Sequence, residues 1–153
     1  MRIVSPSLRT THLLAGALAK ELALRPPRLP HATAIALEGP LGGGKTTFAQ
    51  GFARALGVKR NLPSPTFTLI RRYAIKKGHY RHLFHIDAYR LKDGSVKNLA
   101  PLGIKEEFLD PKNLFVIEWA DRITRALPKN FMRVTFRHVR TDPASRILTF
   151  KSV

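Results

Sequence analysis

The chain contains no cysteine in its 153 residues, which excludes disulfides and thiolate metal sites. It is also short of acids: 10 Asp plus Glu stand against 27 Lys plus Arg, and none falls between Gly39 and Ile86. The search for a working carboxylate is therefore brief, and a formal charge of +17 points to polyanionic partners. No apolar run approaches the roughly 20 residues of a membrane-spanning helix, and the N-terminal stretch lacks the apolar segment of a secretory signal. No internal repeat is present. These absences lead to the expectation of a cytoplasmic protein with no membrane contact, built as a single domain over 1–153 whose 44% hydrophobic content suffices for a core.

What the chain does have is the run Glu38-Gly39-Pro40-Leu41-Gly42-Gly43-Gly44-Lys45-Thr46-Thr47, whose Gly39, Gly44, Lys45 and Thr46 satisfy the spacing of a phosphate-binding P-loop. Wrapping a phosphate chain requires several backbone N–H groups to point at one anion, and glycines at 39, 42, 43 and 44 permit that backbone. Lys45 then reaches the β- and γ-phosphates. Thr46 opens the next helix, so its hydroxyl can hold Mg²⁺ where the helix N-terminus also favours negative charge. The flanks agree, with an apolar strand over Thr33–Leu37 before the loop and Phe48, Phe52 and Leu56 at helical spacing after it. Gly57 closes that helix. The expected nucleotide contacts are Gly39, Leu41, Gly42, Gly43, Gly44, Lys45, Thr46 and Thr47, with a nucleoside triphosphate and Mg²⁺ as ligands.

Elsewhere the pattern predicts an edge strand over Met1–Ser5. A helix capped by Thr10 or Thr11 follows, carrying Leu14, Leu18 and Leu22 and ending before Pro26-Pro27. The runs Phe67–Ile75 and Tyr80–Tyr89 form a hairpin, with His85, Asp87 and Tyr89 on one face. A short helix is expected over Pro101–Leu109, a buried strand over Leu114–Ile117 and a helical turn over Ala120–Leu127. Phe131–Val139 and Arg146–Val153 read as a hairpin around Thr141-Asp142-Pro143-Ala144. The sum is an α/β, P-loop NTPase-like domain with a mixed β-sheet flanked by helices.

Hydrolysis needs carboxylates that hold Mg²⁺ and orient water at strand ends. Asp87 and Glu118 each end an apolar run, and Glu38 abuts the loop, so these three are the candidates. His85 reads as a hydrogen-bonded structural histidine, and Trp119 as a packing residue. Ser64 and Thr66, set among Pro63 and Pro65, have the makings of a loop that senses the γ-phosphate. Arg71, Arg72, Lys76, Lys77 and Arg81 gather around one hairpin as a positive patch suited to an RNA backbone or an acidic partner surface.

Three motifs now stand in order: the P-loop through Phe48, then Ser64-Pro65-Thr66-Phe67-Thr68, then His85-Ile86-Asp87-Ala88-Tyr89-Arg90-Leu91, with Glu118-Trp119 downstream. Together they resemble the bacterial TsaE (YjeE) family. The resemblance implies ATP as the nucleotide and an ATPase that works with the TsaB and TsaD proteins in making threonylcarbamoyladenosine in tRNA, TsaD carrying the transfer chemistry. It also implies phosphate and Mg²⁺ roles for Lys45 and Thr46, a metal-side role for Asp87 and a second essential acid in Glu118. Ser64 and Thr66 become part of a nucleotide-responsive loop. Pro40 departs from the family in replacing an acid, which removes one N–H and one charge beside the phosphates. The stretch Asp93–Lys97 lacks paired glutamates common after the Tyr-Arg-Leu motif. The competing readings are a small-substrate P-loop kinase and a non-enzymatic basic RNA-binding module.

Overall fold

In a computed structural model of the chain, residues 1–58, 69–76, 78–91 and 103–153 are described. Seven strands form one mixed sheet in the order β1-β7-β6-β2-β5-β4-β3. They are β1 (Arg2–Ser5), β2 (Thr33–Glu38), β3 (Ile70–Ala74), β4 (His82–Asp87), β5 (Asn113–Glu118), β6 (Met132–Val139) and β7 (Asp142–Ser152). The helices are α1 (Leu8–Leu24), α2 (Lys45–Ala55) and α3 (Ile104–Leu109), with a 3₁₀ helix over Ala120–Ala126. The mixed α/β architecture expected from the sequence is therefore present.

Strand β2 lies between β5 and β6, parallel to both, and β4 is parallel to β5. Buried on both faces, these strands read as continuous apolar runs. One face carries Ile35, Leu37, Leu83, Leu114 and Val116, packed with Phe48, Phe52, Ala15 and Ala19 of α2 and α1. The other carries Ala34, Ala36, Phe84, Ile86, Phe115 and Ile117 beneath α3 and the 3₁₀ helix. Alternation along each strand thus decides which side a residue serves.

Helix α1 is capped by Ser7, whose hydroxyl accepts the Thr10 N–H at 3.1 Å, and not by Thr10 or Thr11. Thr11 is instead turned inward, its hydroxyl 2.8 Å from that of Ser5. The helix ends at Leu24, before the proline pair. Its innermost stripe is Thr11, Ala15 and Ala19, with Leu14, Leu18 and Leu22 packed to the sides. Small residues there let α2 approach closely: a Cβ built on Gly51 would lie 2.7 Å from the His12 backbone.

The β3–β4 hairpin pairs Ile70 with Ile86 and Ala74 with His82. It is shorter than expected, and Tyr89 falls beyond the strand end, off the face shared by His85 and Asp87. Its positive patch is also divided. Arg71 and Arg72 are successive strand residues and so face opposite sides of the sheet, and Arg72 shares a 4.0 Å ion pair with Glu107. Arg72, Lys76 and Arg81 are exposed, while Lys77 lies outside the described residues, as do Ser64 and Thr66. In the β6–β7 hairpin, Val139 pairs with Asp142. The turn is thus Arg140-Thr141, and Asp142-Pro143-Ala144 belongs to β7. Asp142 holds that start, accepting the Ala144 N–H at 3.0 Å. Strand β1 pairs only with residues 146–149, so the N–H that Pro143 lacks has no ladder to interrupt.

The α1–α2 contact sets a contest of signs. Alanine at position 51 gains about 1 kcal/mol of helix propensity over glycine, whereas overpacking against backbone costs about 1–3 kcal/mol. The net cost of up to about 2 kcal/mol is expected to make Gly51→Ala lower the thermal midpoint by up to about 8 °C. A midpoint equal to or above wild type in a melting experiment would show that the helices separate at no cost.

Candidate functional site

The carboxyl ends of β2, β5 and β4 are level: Leu37 pairs with Glu118, and Glu118 with Asp87. The P-loop leaves β2 at this edge and returns into α2. Gly39 adopts φ 140°, and a Cβ there would meet the Phe136 carbonyl oxygen at 2.5 Å, so strand β6 fixes where the loop begins. Gly44 takes up the left-handed conformation (φ 98°) as the residue before α2. Pro40 acts through its carbonyl, which accepts from the Gly43 N–H at 3.1 Å and from Lys45 Nζ at 2.8 Å. The missing N–H is not called upon there.

Lys45 is only 4% exposed. Its Nζ donates to the Gly39 carbonyl at 2.7 Å and stands 3.6 Å from the centroid of the Trp119 ring. Burial pushes its ammonium below the usual 10.5, partly offset by the negative charges of Glu118, Asp121 and Asp87. The Thr46 hydroxyl donates to Glu118 Oε2 at 2.7 Å, and Glu118 Oε1 accepts from His85 Nε2 at 2.9 Å. Asp87, also buried, accepts the Tyr89 N–H at 2.9 Å and so turns the chain at the end of β4.

Leu41, Gly42, Gly43, Gly44, Lys45, Thr46, Thr47 and Glu118, all anticipated from sequence, line one cleft of about 180 Å³ together with Trp119 and Leu8 of α1, which were not. Asp87 flanks it on the next strand. Glu38 does not join: its carboxylate pairs with Arg133 of β6 at 2.8 Å. Larger grooves, about 480 Å³ beside β3 and about 700 Å³ along α1 and α2, hold neither a carboxylate nor a P-loop backbone. The smaller cleft is the one with chemistry. Its donors near Thr46 are all oxygens, which suits a hard divalent cation. Among the described residues, no group of three or more His, Asp or Glu could hold a metal unaided. A cation at Thr46 and Glu118 would thus complete its shell with phosphate and water oxygens, as Mg²⁺ does.

Two features escaped the sequence. Trp119, with φ 56°, brings its ring over Lys45 and within 5.0 Å of the Tyr89 ring. Arg122 lies over both rings, at 4.9 Å from Tyr89 and 5.3 Å from Trp119, and donates to the Tyr89 carbonyl. No spacing rule announces either contact, because both depend on the left-handed turn at Trp119.

The depressed Lys45 ammonium has a pH signature. In the alkaline window that closes near 10.5, the unfolded chain holds a proton that the folded chain has released, so stability rises with pH there. Below the folded value the burial penalty is complete and constant. The wild-type stability relative to Lys45→Met is therefore expected to climb through that window in urea titrations. A flat difference would place Lys45 in a water-like environment.

A family model described as threonylcarbamoyl adenosine biosynthesis protein TsaE matches residues 5–147. The tRNA threonylcarbamoyladenosine biosynthesis protein TsaE of Bacillus subtilis is 37% identical over 119 residues, spanning 78% of this chain and 69% of that protein. Its Synechocystis counterpart is 34% identical over 123 residues, 80% of this chain and 72% of that protein. The crystal structure of Bacillus subtilis YdiB superposes with a TM-score of 0.73 at 30% identity, covering 100% of this chain and 85% of that one. With the match running through nearly every element around the cleft, the chain belongs to the TsaE family of tRNA threonylcarbamoyladenosine biosynthesis proteins.

Proposed function

We propose that this chain is a Mg²⁺-dependent ATPase, a cytoplasmic single-domain subunit that serves tRNA threonylcarbamoyladenosine synthesis together with TsaB and TsaD. The observation that carries the reading is the Thr46 hydroxyl donating to buried Glu118 at 2.7 Å, one residue from Lys45. P-loop NTPases pair a loop hydroxyl with a strand-end carboxylate in this way to seat Mg²⁺. An RNA-binding module would have no use for it.

In this reading the loop N–H groups and the start of α2 bind the phosphate chain, and Lys45 exchanges the Gly39 and Pro40 carbonyls for phosphate oxygens. Mg²⁺ supplies charge neutralisation of the phosphates. Thr46 donates its hydroxyl hydrogen bond to Glu118 and keeps its oxygen lone pairs toward the cation, while Asp87 adds a second carboxylate at the same rim. Water attacks the γ-phosphorus and ADP leaves. Ser64 and Thr66 respond to the γ-phosphate. Turnover is weak alone and rises with the partners.

Lys45→Ala is expected to fold normally yet lose productive ATP use, because its charge is aimed at phosphate. Asp87→Asn and Glu118→Gln are expected to lose turnover at least tenfold, with nucleotide affinity kept within about tenfold, roughly 1.4 kcal/mol. Turnover assays with TsaB and TsaD, beside nucleotide titrations of each variant, decide the assignment. Normal hydrolysis by any of the three removes that residue from it.

For tRNA, the exposed cations Arg72, Lys76 and Arg81 of the β3–β4 hairpin are the proposed contact. Three phosphate contacts give log K a slope against log salt of about −2 to −3. Arg72→Glu with Lys76→Glu is expected to flatten that slope while sparing nucleotide binding. An unaltered slope in the double variant would leave the hairpin a solvated face.

A further inference from the structure

His85 sits at 0% exposure in β4, two residues before Asp87 and on the same face. Its Nε2 meets Glu118 Oε1 at 2.9 Å, and its Nδ1 is buried with no partner among the described residues. A leucine or phenylalanine would fill this space without burying an unpaired nitrogen, so packing alone does not account for an imidazole. A carboxylate only accepts, so Nε2 carries the hydrogen of this bond and, in the neutral ring, Nδ1 is the bare acceptor.

Glu118 has both oxygens engaged, one by His85 and one by Thr46. A single bond from Thr46 would leave the carboxylate able to pivot about that oxygen. The second bond comes from a ring fixed in the sheet, since His85 pairs with Val116 in the parallel ladder and reaches forward to the residue two places on. With Glu118 at 1% exposure, two donors hold its carboxylate plane in one orientation. Among the described residues, His85 takes no part in the cleft lining and reaches the site through Glu118.

We infer that His85 is a positioning residue: it locks Glu118 so that Oε2 accepts the Thr46 hydroxyl hydrogen bond and the Thr46 lone pairs face the cation site. This rests on the Mg²⁺-ATPase reading above. Outer-shell partners of this kind change metal affinity or activity by about 10–100-fold when removed.

The test compares His85→Leu, His85→Gln and His85→Asn in the full chain. Glutamine keeps an amide donor at the reach of Nε2, asparagine keeps one that falls short, and leucine keeps none. A fluorescent ATP analogue gives nucleotide affinity in EDTA and then the Mg²⁺ midpoint at which binding tightens. Turnover is read with TsaB and TsaD, and melting curves verify folding. The expected result for His85→Leu and His85→Asn is EDTA affinity within about twofold of wild type, a Mg²⁺ midpoint raised about tenfold or more and turnover lowered about 10–100-fold. His85→Gln recovers most of both. If leucine fails to fold, the glutamine and asparagine pair still decides. Equal behaviour of glutamine and asparagine, or lost turnover at an unchanged Mg²⁺ midpoint, overturns the positioning role. Absence of any Mg²⁺-dependent nucleotide binding in wild type overturns the ATPase reading itself and this inference with it, and it shows before any variant is made.

Discussion

A carboxylate at 1% exposure has to be met by donors, and Glu118 is met by two, from different elements. That requirement ties the end of β5 to the first turn of α2 through Thr46 and to the interior of β4 through His85. The P-loop spans the gap between β2 and α2, so its path follows once those two ends are fixed. Beyond the Thr46 bond, α2 is held on the sheet largely by apolar packing of Phe48, Ala49, Phe52 and Ala53, which is tolerant of small slides in a way that a 2.7 Å hydrogen bond is not.

The chain also keeps its charges apart in sequence and joins them in space. No acid occurs from Gly39 to Ile86, yet Lys45 is surrounded by the fields of Glu118, Asp121 and Asp87. Each comes from later in the chain, delivered by the rims of β5 and β4 and the 3₁₀ helix after them. The P-loop half supplies cations and N–H groups, and the following half supplies the carboxylates. Neither half alone is a balanced site, which is why sheet register rather than local sequence determines the electrostatics.

Much of this was legible in the sequence because the signals are local. The glycine spacing and its flanking strand and helix name the loop. The apolar runs that end in Asp87 and Glu118 name the rim acids, and the turn between Ile75 and Tyr80 names the hairpin. What was not legible depends on partners far along the chain. Glu38 stands beside the loop in sequence but answers to Arg133, 95 positions away. The cap of α1 fell to Ser7 because Thr11 was wanted inside by Ser5. The hairpin cations looked like one patch until strand alternation sent Arg71 and Arg72 to opposite faces. The Trp119 contact rests on a left-handed residue that no composition rule forecasts.

Strand β1 carries an implication for the order of assembly. Met1 and Phe150 exchange backbone hydrogen bonds across 149 positions, and β1 pairs with β7 alone. A pairing that closes so long a loop recovers its entropy last, so folding is expected to proceed from the β2–β5–β4 centre and to reach β1 only after β6 and β7 have joined. Helix α1 packs chiefly on α2 and meets β1 through the Thr11–Ser5 hydroxyl pair, so most of its docking surface is present before its own preceding strand pairs. On that order the P-loop edge is assembled while the far side of the sheet is still open.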